Sequence, residues 1–455
     1  MRFAFVLGLM ILSGVVHAAE VRWWMSTEDG AASLAEQAPL SWQPVDAAVP
    51  AEITIDPATT YQSILGLGAA FEHATCYNIS QLPEPQRTEV IRKLVDPEAG
   101  IGMSLMRLCI GTSDFTGDPW YSYNDMPKGE TDPELANFSI HKDRAYLLPV
   151  VKKALELNPE LKLFASVWSP PAWMKSNDSM LGGKLKPEYY DAFSRYLVKT
   201  VKAYHAEGLP VVAITPQNEP HFPNPMYPTT GYRAKDMLAL IRDHLGPAFE
   251  KELPDTEIWC WDHNWSEPEF PTTILSDPKA YGYVDGTAFH LYEGKPEAQT
   301  AFHEAFPDKP IYFTEGSTFM TRGAIQIISI LRNWARSYNA WVMMLDEDRK
   351  PNNGPHSASR TAIELLRNGE VRYNFDYFMY GQFMKFIRPG AVRVASTDGS
   401  VRFDNVAFKR KDGSIVCVAA NAGSAAKPVR VAVGTRQFQA ELPSKAVATF
   451  LIPAE

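Results

Sequence analysis

Two glutamates at the ends of predicted strands could form the acid pair of a hydrolytic enzyme. Glu219 comes directly after the predicted strand Val211–Asn218, and Glu315 lies near the end of the predicted strand Pro310–Gly316. In a glycosidase that retains configuration, one carboxylate attacks the anomeric carbon and the other protonates the departing oxygen, with the two groups about 5–5.5 Å apart. A gap of roughly 6.5–9.5 Å would indicate inversion. The alternative for each residue is a salt-bridged glutamate at a sheet rim, but the pair together favours catalysis.

Eight predicted strands alternate with helices and would bring these glutamates together. Short β-branched or aromatic runs between segments of helical period are typical of βα units around a parallel sheet. Eight such units predict an α/β fold, a (β/α)₈ TIM barrel, with catalytic groups at the carboxyl ends of its strands. The predicted strands are Ile64–Phe71, Met103–Ile110, Lys162–Ser169, Val211–Asn218, Glu257–Asn264, Asp285–Tyr292, Pro310–Gly316 and Asn339–Asp346. The predicted helices are Glu84–Val95, Asp143–Leu157, Pro187–Ala206, Arg233–Leu245, Ile325–Tyr338 and Phe375–Phe386.

A doubly wound open sheet is the rival fold. Gly66-Leu67-Gly68 is similar to part of a dinucleotide-binding loop. It lacks the third glycine and a helix start behind it, so the dinucleotide interpretation is discounted. No cofactor is expected.

The chain is expected to divide into a leader and two folded parts. Residues 61–386 would form the catalytic barrel, and residues 387–455 would form an appended all-β sandwich, since short alternating strands follow one another there. Residues 19–60 are expected to join that sandwich. Residues 1–18 have the pattern of a cleaved signal peptide, with Arg2 before a short apolar run and small residues near the end.

The leader and the charge limit the possible partners. The apolar run of the leader is too short to cross about 30 Å of hydrocarbon, so a secreted or periplasmic protein without a transmembrane anchor is expected. The net charge is −9 with both signs interspersed. Nucleic-acid binders concentrate Lys and Arg on one face, so no nucleic-acid partner is expected. The oligomeric state stays open.

Neither a disulfide framework nor a metal site is indicated. The cysteines lie far apart and form no Cys-x-x-Cys pair, and His303-Glu304 lacks the second histidine of a zinc motif. A bridge between Cys76 and Cys109 stays open, because export would permit one. Glycosylation also stays open at four Asn-x-Ser sequons, namely Asn78, Asn137, Asn177 and Asn264.

Segments spread along the chain give the pair of glutamates a family context. They include Asn218-Glu219-Pro220 and five further segments, which are Gly66–Phe71, Met106–Leu108, Ser113–Phe115, Ala165–Lys175 and Gly381–Ile387. In this order the sequence resembles glycoside hydrolase family 30, and the resemblance spans nearly the whole mature chain. It implies a β-glucosidic bond as the target.

The resemblance implies a role for each matching position. Glu219 is implied to be the acid/base and Glu315 the nucleophile. Asn218 is implied to bind the sugar 2-hydroxyl, a contact that strengthens in the transition state. Arg107 is implied to keep the nucleophile ionised, because a neighbouring cation favours the charged form of a carboxylate. A structural ion pair is the alternative for Arg107.

Five more positions are implied to bind substrate or support the site. Asp114 and Trp168 match glycone-binding positions, since a carboxylate accepts sugar hydroxyls and an indole packs a sugar face. His290 and Tyr292 end the sixth predicted strand, where a tyrosine is implied to contact the nucleophile. Trp341 on the eighth strand is a candidate sugar platform. Core packing is the alternative for Trp168, His290 and Trp341.

The substrate is expected to be a β-glucoside, either a glycolipid or a glucan. The resemblance implies hydrolysis of glucosylceramide to glucose and ceramide, with a β-1,6-glucanase as the alternative. A non-catalytic carbohydrate-binding protein is a further alternative, which the two glutamates and Asn218 argue against. The family pattern Trp-x-x-Trp-Asn departs here, because Met344 replaces the second tryptophan. This change and the following loop Glu347–His356 are expected to shape the leaving-group side.

Overall fold

A computed structural model describes residues 20–355, 358, 360–397 and 403–454. The predicted signal peptide, residues 1–18, lies outside the described residues. The strands are β1 Arg22–Thr27, β2 Ala35–Glu36, β3 Gln43–Pro44, β4 Ile53–Ser63, β5 Gly66–Ala70, β6 Leu105–Ile110, β7 Lys162–Val167, β8 Val211–Thr215, β9 Glu257–Asn264, β10 Gly286–His290, β11 Ile311–Glu315, β12 Ser337–Ala340, β13 Met344–Asp346, β14 Ile363–Leu365, β15 Val371–Tyr373, β16 Val392–Ser396, β17 Asp404–Lys409, β18 Ile415–Asn421, β19 Lys427–Val433, β20 Arg436–Leu442 and β21 Ala446–Ile452. The α-helices are α1 His73–Ser80, α2 Glu84–Val95, α3 Leu147–Leu157, α4 Tyr190–Ala206, α5 Ala234–Leu240, α6 Gly246–Glu252, α7 Glu269–Leu275, α8 Pro278–Tyr283, α9 Glu297–Ala305, α10 Met320–Arg332 and α11 Phe375–Met384.

Strands β5 to β12 form a closed parallel barrel, in which they are barrel strands one to eight. Neighbours along the chain pair in order, and β12 returns to pair with β5. Single bridges join Ile311 to Ala335 and Gly316 to Ala340, and they close the barrel between β11 and β12. The strands are buried on both faces, as expected where side chains fill the interior and helices cover the outside. The predicted (β/α)₈ barrel is confirmed.

Strands from the segments before and after the barrel form a second sheet of ten strands. Its order is β2-β1-β21-β18-β17-β16-β4-β19-β20-β3. The first strand, β1, pairs with the last, β21, along six residue pairs, and β4 pairs with β16 and β19. In its separate apolar core Trp23 stacks on Phe450, and Phe438 lies tilted against the same ring. This sheet is the β-sandwich expected after the barrel.

Two predicted elements near the end of the barrel have different bounds in the structure. The predicted strand Asn339–Asp346 is interrupted, since β12 ends at Ala340 and β13 pairs with β14 in a separate three-stranded sheet. The predicted helix Ile325–Tyr338 is α10, which ends at Arg332. Trp334 has a left-handed backbone with φ 69°, which a helix cannot continue through. The residues after it enter β12.

The cysteines and the helices answer two questions left by the sequence. All four cysteines are buried and free, so Cys76 and Cys109 are not bridged. Among the described residues, no helix is long and apolar enough to cross a membrane.

The Gly66-Leu67-Gly68 segment has a packing role in the barrel. A Cβ atom on Gly68 would lie 1.8 Å from the carbonyl oxygen of Leu105 in the neighbouring strand β6. A Cβ on Gly66 would lie 2.8 Å from the Cβ of Leu105. The two glycines therefore allow β5 and β6 to approach closely, which explains the segment without a dinucleotide.

We expect Gly68→Ala to destabilise the fold by about 3 kcal/mol or more, because the clash is with backbone that cannot rotate away. Gly282→Ala in α8 is the matched control, since nothing lies within 4 Å of its Cβ position. It should change the free energy of unfolding by about 1 kcal/mol or less. Urea unfolding measures both variants, and equal effects would contradict the packing role.

Candidate active site

The two predicted catalytic glutamates meet at the carboxyl end of the barrel. Glu315 is the last residue of β11 and is 5% exposed, and Glu219 lies in the loop after β8. Glu219 has a left-handed backbone with φ 48°, and its amide donates to the carbonyl of Asp262 at 3.0 Å. Holding a non-glycine residue in this region costs about 1–3 kcal/mol, and such residues concentrate at functional sites. The scaffold therefore fixes Glu219 at a conformational cost.

The two carboxyl groups lie close together. One oxygen of Glu219, one oxygen of Glu315 and one ring nitrogen of His290 all lie within 4.8 Å of one another. This separation is near the roughly 5–5.5 Å of retaining glycosidases and well below the roughly 6.5–9.5 Å of inverting ones. The gap is too small for a water molecule to attack from the opposite side of a sugar. It suits direct attack by one of the carboxylates.

Arg107 is the buried cation at the base of the pair. Its Nη1 donates to Glu315, and its Nη2 donates to Asn218 and Asp262, both at 2.8 Å. Its Nε donates to Ser166 at 2.9 Å. Burial acts to lower the pKa of Arg107, but the charges of Asp262 and Glu315 raise it above its usual value. Arg107 therefore stays charged, orients Glu315 and places the amide of Asn218.

Asp262 connects this arginine to the acid/base side of the site. It accepts hydrogen bonds from Arg107 at 2.8 Å and from Thr215 and Thr314 at 2.6 Å each, and it lies 3.0 Å from His290 Nε2. Burial acts to raise the pKa of Asp262, but Arg107 and His290 hold it well below its usual range. Asp262 is therefore an ionised carboxylate inside the barrel.

Sequence reasoning did not single out Asp262. It lies in the predicted strand Glu257–Asn264, near the carboxyl end where catalytic groups were sought. The register between β9 and β10 skips this residue, whose φ is 62°, so the strand bulges there. A bulge re-aims a side chain, and no alternation pattern reveals it. An acidic residue directly after the apolar run 258–261 was the available signal.

His290 carries a positive charge beside Glu219. Its Nδ1 lies 3.3 Å from Glu219 Oε1, and its Nε2 lies against Asp262. Burial acts to lower the pKa of His290, but Glu315 and Asp262 raise it to about 9. His263 is 3.9 Å from the same oxygen of Glu219, and burial together with the charge of His290 lowers its pKa to about 3. At neutral pH His290 is charged and His263 is neutral.

The same acidic pair and His290 form the one cluster of metal-ligand type found in the described part of the chain. A histidine binds a metal through a neutral ring nitrogen. His290 is protonated at neutral pH and both of its nitrogens face carboxylates. The donor set therefore suits proton transfer better than metal binding.

Two tryptophans form an apolar wall of the site. The rings of Trp168 and Trp341 stack at 5.3 Å between centroids, and the guanidinium of Arg107 lies 4.8 Å above Trp168. Asp114 also lines the cavity, and burial followed by the charge of Glu315 raises its pKa to about 8. A protonated Asp114 can donate to a sugar hydroxyl as well as accept from one. These are the residues predicted to bind the glycone.

One cavity of about 440 Å³ brings the predicted residues together. Arg107 and His290 lie beneath it, and Tyr292 donates to Glu315 Oε1 at 2.8 Å. The predicted residues that line it are Asp114, Trp168, Asn218, Glu219, Tyr292, Glu315 and Trp341. Lining residues that were not predicted as site residues are Phe115, His221, Phe222, Tyr227, His263, Asn264, Glu267, Glu293, Ser317 and Ala358. Most of these residues come directly after the end of a barrel strand. Their position there was the signal that the sequence offered.

The described part of the loop after barrel strand eight contacts Asp114 and Asp118. The amides of Asn353 and Gly354 both donate to the carbonyl of Asp114 at 3.1 Å. Asn353 Nδ2 donates to the carbonyl of Asp118 at 2.8 Å. The described part of this loop therefore packs against Asp114, the residue predicted to bind the glycone. Its role on the leaving-group side stays a prediction.

Two family models match the chain. The model of the glycosyl hydrolase family 30 TIM-barrel domain matches residues 64–354. The model of the glycosyl hydrolase family 30 beta sandwich domain matches residues 390–450.

Curated relatives match over most of their length. The endo-1,6-β-D-glucanase of Neurospora crassa is 34% identical over 398 residues, which cover 81% of this chain and 81% of that protein. The endo-1,6-β-D-glucanase neg1 of Aspergillus fumigatus is 32% identical and covers 89% of this chain and 88% of its own. The lysosomal acid glucosylceramidase of Mus musculus is 28% identical over 410 residues, with 83% and 79% covered. A solved endo-β1,6-glucanase structure, BT3312, superposes with a TM-score of 0.86 at 28% identity, and covers 96% of this chain and 100% of that chain.

We expect Asp262→Asn to lower kcat/KM toward an aryl β-glucoside roughly 100-fold, because Arg107 and His290 lose their shared counter-charge. The negative charge of Asp262 raises the pKa of His290, so its loss lets His290 deprotonate at lower pH. The alkaline limb of the pH–rate profile should move down by about 1 pH unit or more.

The matched control for this variant is Asp376→Asn. Asp376 is a buried carboxylate on α11 that accepts from Arg360 at 3.0 Å. Its replacement should reduce the free energy of unfolding and leave the pH–rate profile in place. An unchanged profile in Asp262→Asn, or the same shift in both variants, would contradict the role given to Asp262.

Proposed function

The chain belongs to glycosyl hydrolase family 30, and we propose that within this family it is a retaining endo-β-1,6-glucanase. The observation that carries the chemistry is the short separation of Glu219 and Glu315 at one end of the barrel. The observation that favours the substrate is the higher identity to endo-1,6-β-glucanases than to lysosomal glucosylceramidase. It favours β-1,6-glucan, the alternative from the sequence, over the glucosylceramide that the sequence placed first.

In the first step, the carboxylate of Glu315 attacks the anomeric carbon of the bound glucose unit. The glycosidic C–O bond breaks, and the carboxyl of Glu219 gives its proton to the departing oxygen. The product is a covalent glucosyl ester on Glu315 and a free chain end. Arg107 and Tyr292 both donate to Glu315, so they fix the attacking oxygen against rotation.

In the second step, the same groups work in reverse. Glu219, now a carboxylate, takes a proton from a water molecule whose oxygen attacks the anomeric carbon. The ester bond breaks and its electron pair returns to Glu315. Two displacements restore the original β configuration. The charged ring of His290 lies 3.3 Å from Glu219 and stabilises the carboxylate that forms when Glu219 gives up its proton.

The predicted glycone residues hold the sugar during both steps. Asn218 lines the cavity, and its side-chain oxygen accepts a hydrogen bond from Arg107. Its amide hydrogens would donate to a sugar hydroxyl. Asp114 is the carboxyl that would bind sugar hydroxyls at the Trp168 wall. The stacked Trp168 and Trp341 offer an apolar face to the ring.

We expect 2-deoxy-2-fluoro-β-glucosyl fluoride to label Glu315. The 2-fluorine slows both formation and breakdown of the ester, whereas the good fluoride leaving group speeds only its formation, so the ester accumulates. Glu315→Gln should abolish labelling and lower kcat by a factor on the order of 10⁴. Peptide mass spectrometry locates the label. Glu297→Gln on the outer helix α9 is the control and should behave as wild type. A label on another residue would overturn the assignment.

Substrate choice is tested on the wild-type enzyme. We expect release of oligosaccharides from a linear β-1,6-glucan with a kcat/KM at least roughly 100-fold above that for glucosylceramide in detergent, a difference equivalent to about 2.7 kcal/mol. Internal cleavage should give a ladder of products at early times, which chromatography resolves. Glucose as the sole early product, or a preference for glucosylceramide, would refute the endo-glucanase proposal.

A further inference from the structure

An exposed aromatic ring lies at the mouth of the catalytic cavity beside the acid/base. Phe222 is three residues beyond Glu219, lines the cavity and is 45% exposed. Its amide donates to the carbonyl of Glu219 at 3.0 Å. The mechanism described above does not use this side chain. A single exposed phenylalanine is common on protein surfaces, so its surroundings must decide whether it binds anything.

The loop that carries Phe222 is held in place on both sides. His221 is hydrogen-bonded through Nδ1 to Glu267, which lies 46 residues away in the loop after β9. The amide of Tyr232 donates to the carbonyl of Pro220 at 2.6 Å. These contacts fix the backbone around Phe222. The ring is therefore presented in one place, as a binding platform requires.

The groups around this ring are polar and acidic. Glu267 and Glu293 both line the cavity, and they come from the loops after β9 and β10. Ser266 donates to Glu293 at 3.3 Å. Carboxylates accept hydrogen bonds from hydroxyls, and an aromatic ring packs against apolar C–H groups. A sugar offers both kinds of group, whereas an acyl chain would bring only apolar surface to two carboxylates.

The order of the barrel strands separates Phe222, Glu267 and Glu293 from the residues proposed to bind the glycone, which we call the glycone wall. Trp341, Asp114 and Trp168 follow barrel strands eight, two and three. Phe222, Glu267 and Glu293 follow strands four, five and six, which form the opposite half of the rim. The acid/base protonates the departing oxygen, so the leaving group must lie beside Glu219 and away from the glycone wall.

On these observations, and resting on the proposed glucanase function, we propose that Phe222 with Glu267 and Glu293 forms the acceptor subsite. Phe222 packs against the face of the glucose unit that leaves, and the two carboxylates accept its hydroxyls. In the reverse direction the same subsite holds an incoming sugar. Glu219 takes the proton of its hydroxyl, the hydroxyl oxygen attacks the anomeric carbon, and the bond from that carbon to Glu315 breaks, which returns Glu315 as a carboxylate.

The test measures Phe222→Ala on two substrates, one whose leaving group contains a sugar and one whose leaving group does not. For a β-1,6-linked glucose trisaccharide, kcat/KM should fall about 10-fold or more relative to wild type. The leaving group of β-glucosyl fluoride carries no sugar. The factor by which kcat/KM falls for this substrate should therefore be at least about 5 times smaller than the factor for the trisaccharide. Met226→Ala is the matched control, since Met226 is 50% exposed in the same loop and does not line the cavity. Phe222→Trp should restore most of the trisaccharide activity.

A second readout uses the trapped 2-fluoroglucosyl enzyme. A β-1,6-linked glucose disaccharide should accelerate reactivation of the wild-type ester by transfer, and Phe222→Ala should require about 10-fold more disaccharide for the same rate. Equal losses on both substrates, or an unchanged disaccharide requirement, would overturn the subsite. Absence of wild-type reactivation by the disaccharide would overturn it as well. Failure of the endo-glucanase proposal is read separately, from wild-type preference between glucan and glucosylceramide.

Discussion

Arg107 carries a full positive charge inside the barrel, and its contacts with Asp262 and Glu315 neutralise that charge. The rest of the site is built around these contacts. Moving ions from water into a protein interior costs several kcal/mol each unless partners compensate them. Here two cations, Arg107 and His290, face two carboxylates, Asp262 and Glu315. No member can be lost without leaving an uncompensated charge. The network therefore fixes both the orientation of Glu315 and the charge beside Glu219.

This network needs a backbone that departs from regular strands. The pairing between β9 and β10 shifts register at Asp262, and the pairing between β10 and β11 shifts at His290. Each shift turns a side chain toward the site that regular alternation would place elsewhere. Glu219 adds a left-handed residue just beyond β8. The rest of the barrel is regular, and the stability of its packed interior offsets the free-energy cost of these irregular residues.

The difference between regular and irregular backbone also explains what the sequence could predict. Eight strands were predictable because buried parallel strands are apolar runs bounded by polar turns, and Glu219 and Glu315 followed from their places at strand ends. Asp262 was missed because a bulge has no periodic signature. Phe222 was missed because its place depends on the contact between His221 and Glu267, which are distant in sequence. Local patterns carry no information about such loop contacts.

The division of the rim has a consequence for substrate range within this fold. Arg107 and Asp262 lie beneath the cavity. The residues proposed to bind the glycone come after barrel strands eight, two and three, and the corner of the cavity formed by Phe222, Glu267 and Glu293 comes after strands four to six. Changes in the Phe222 corner therefore leave the contacts among Arg107, Asp262 and Glu315 intact. A scaffold built in this way can keep one bond-breaking chemistry and exchange the group on the far side of the bond.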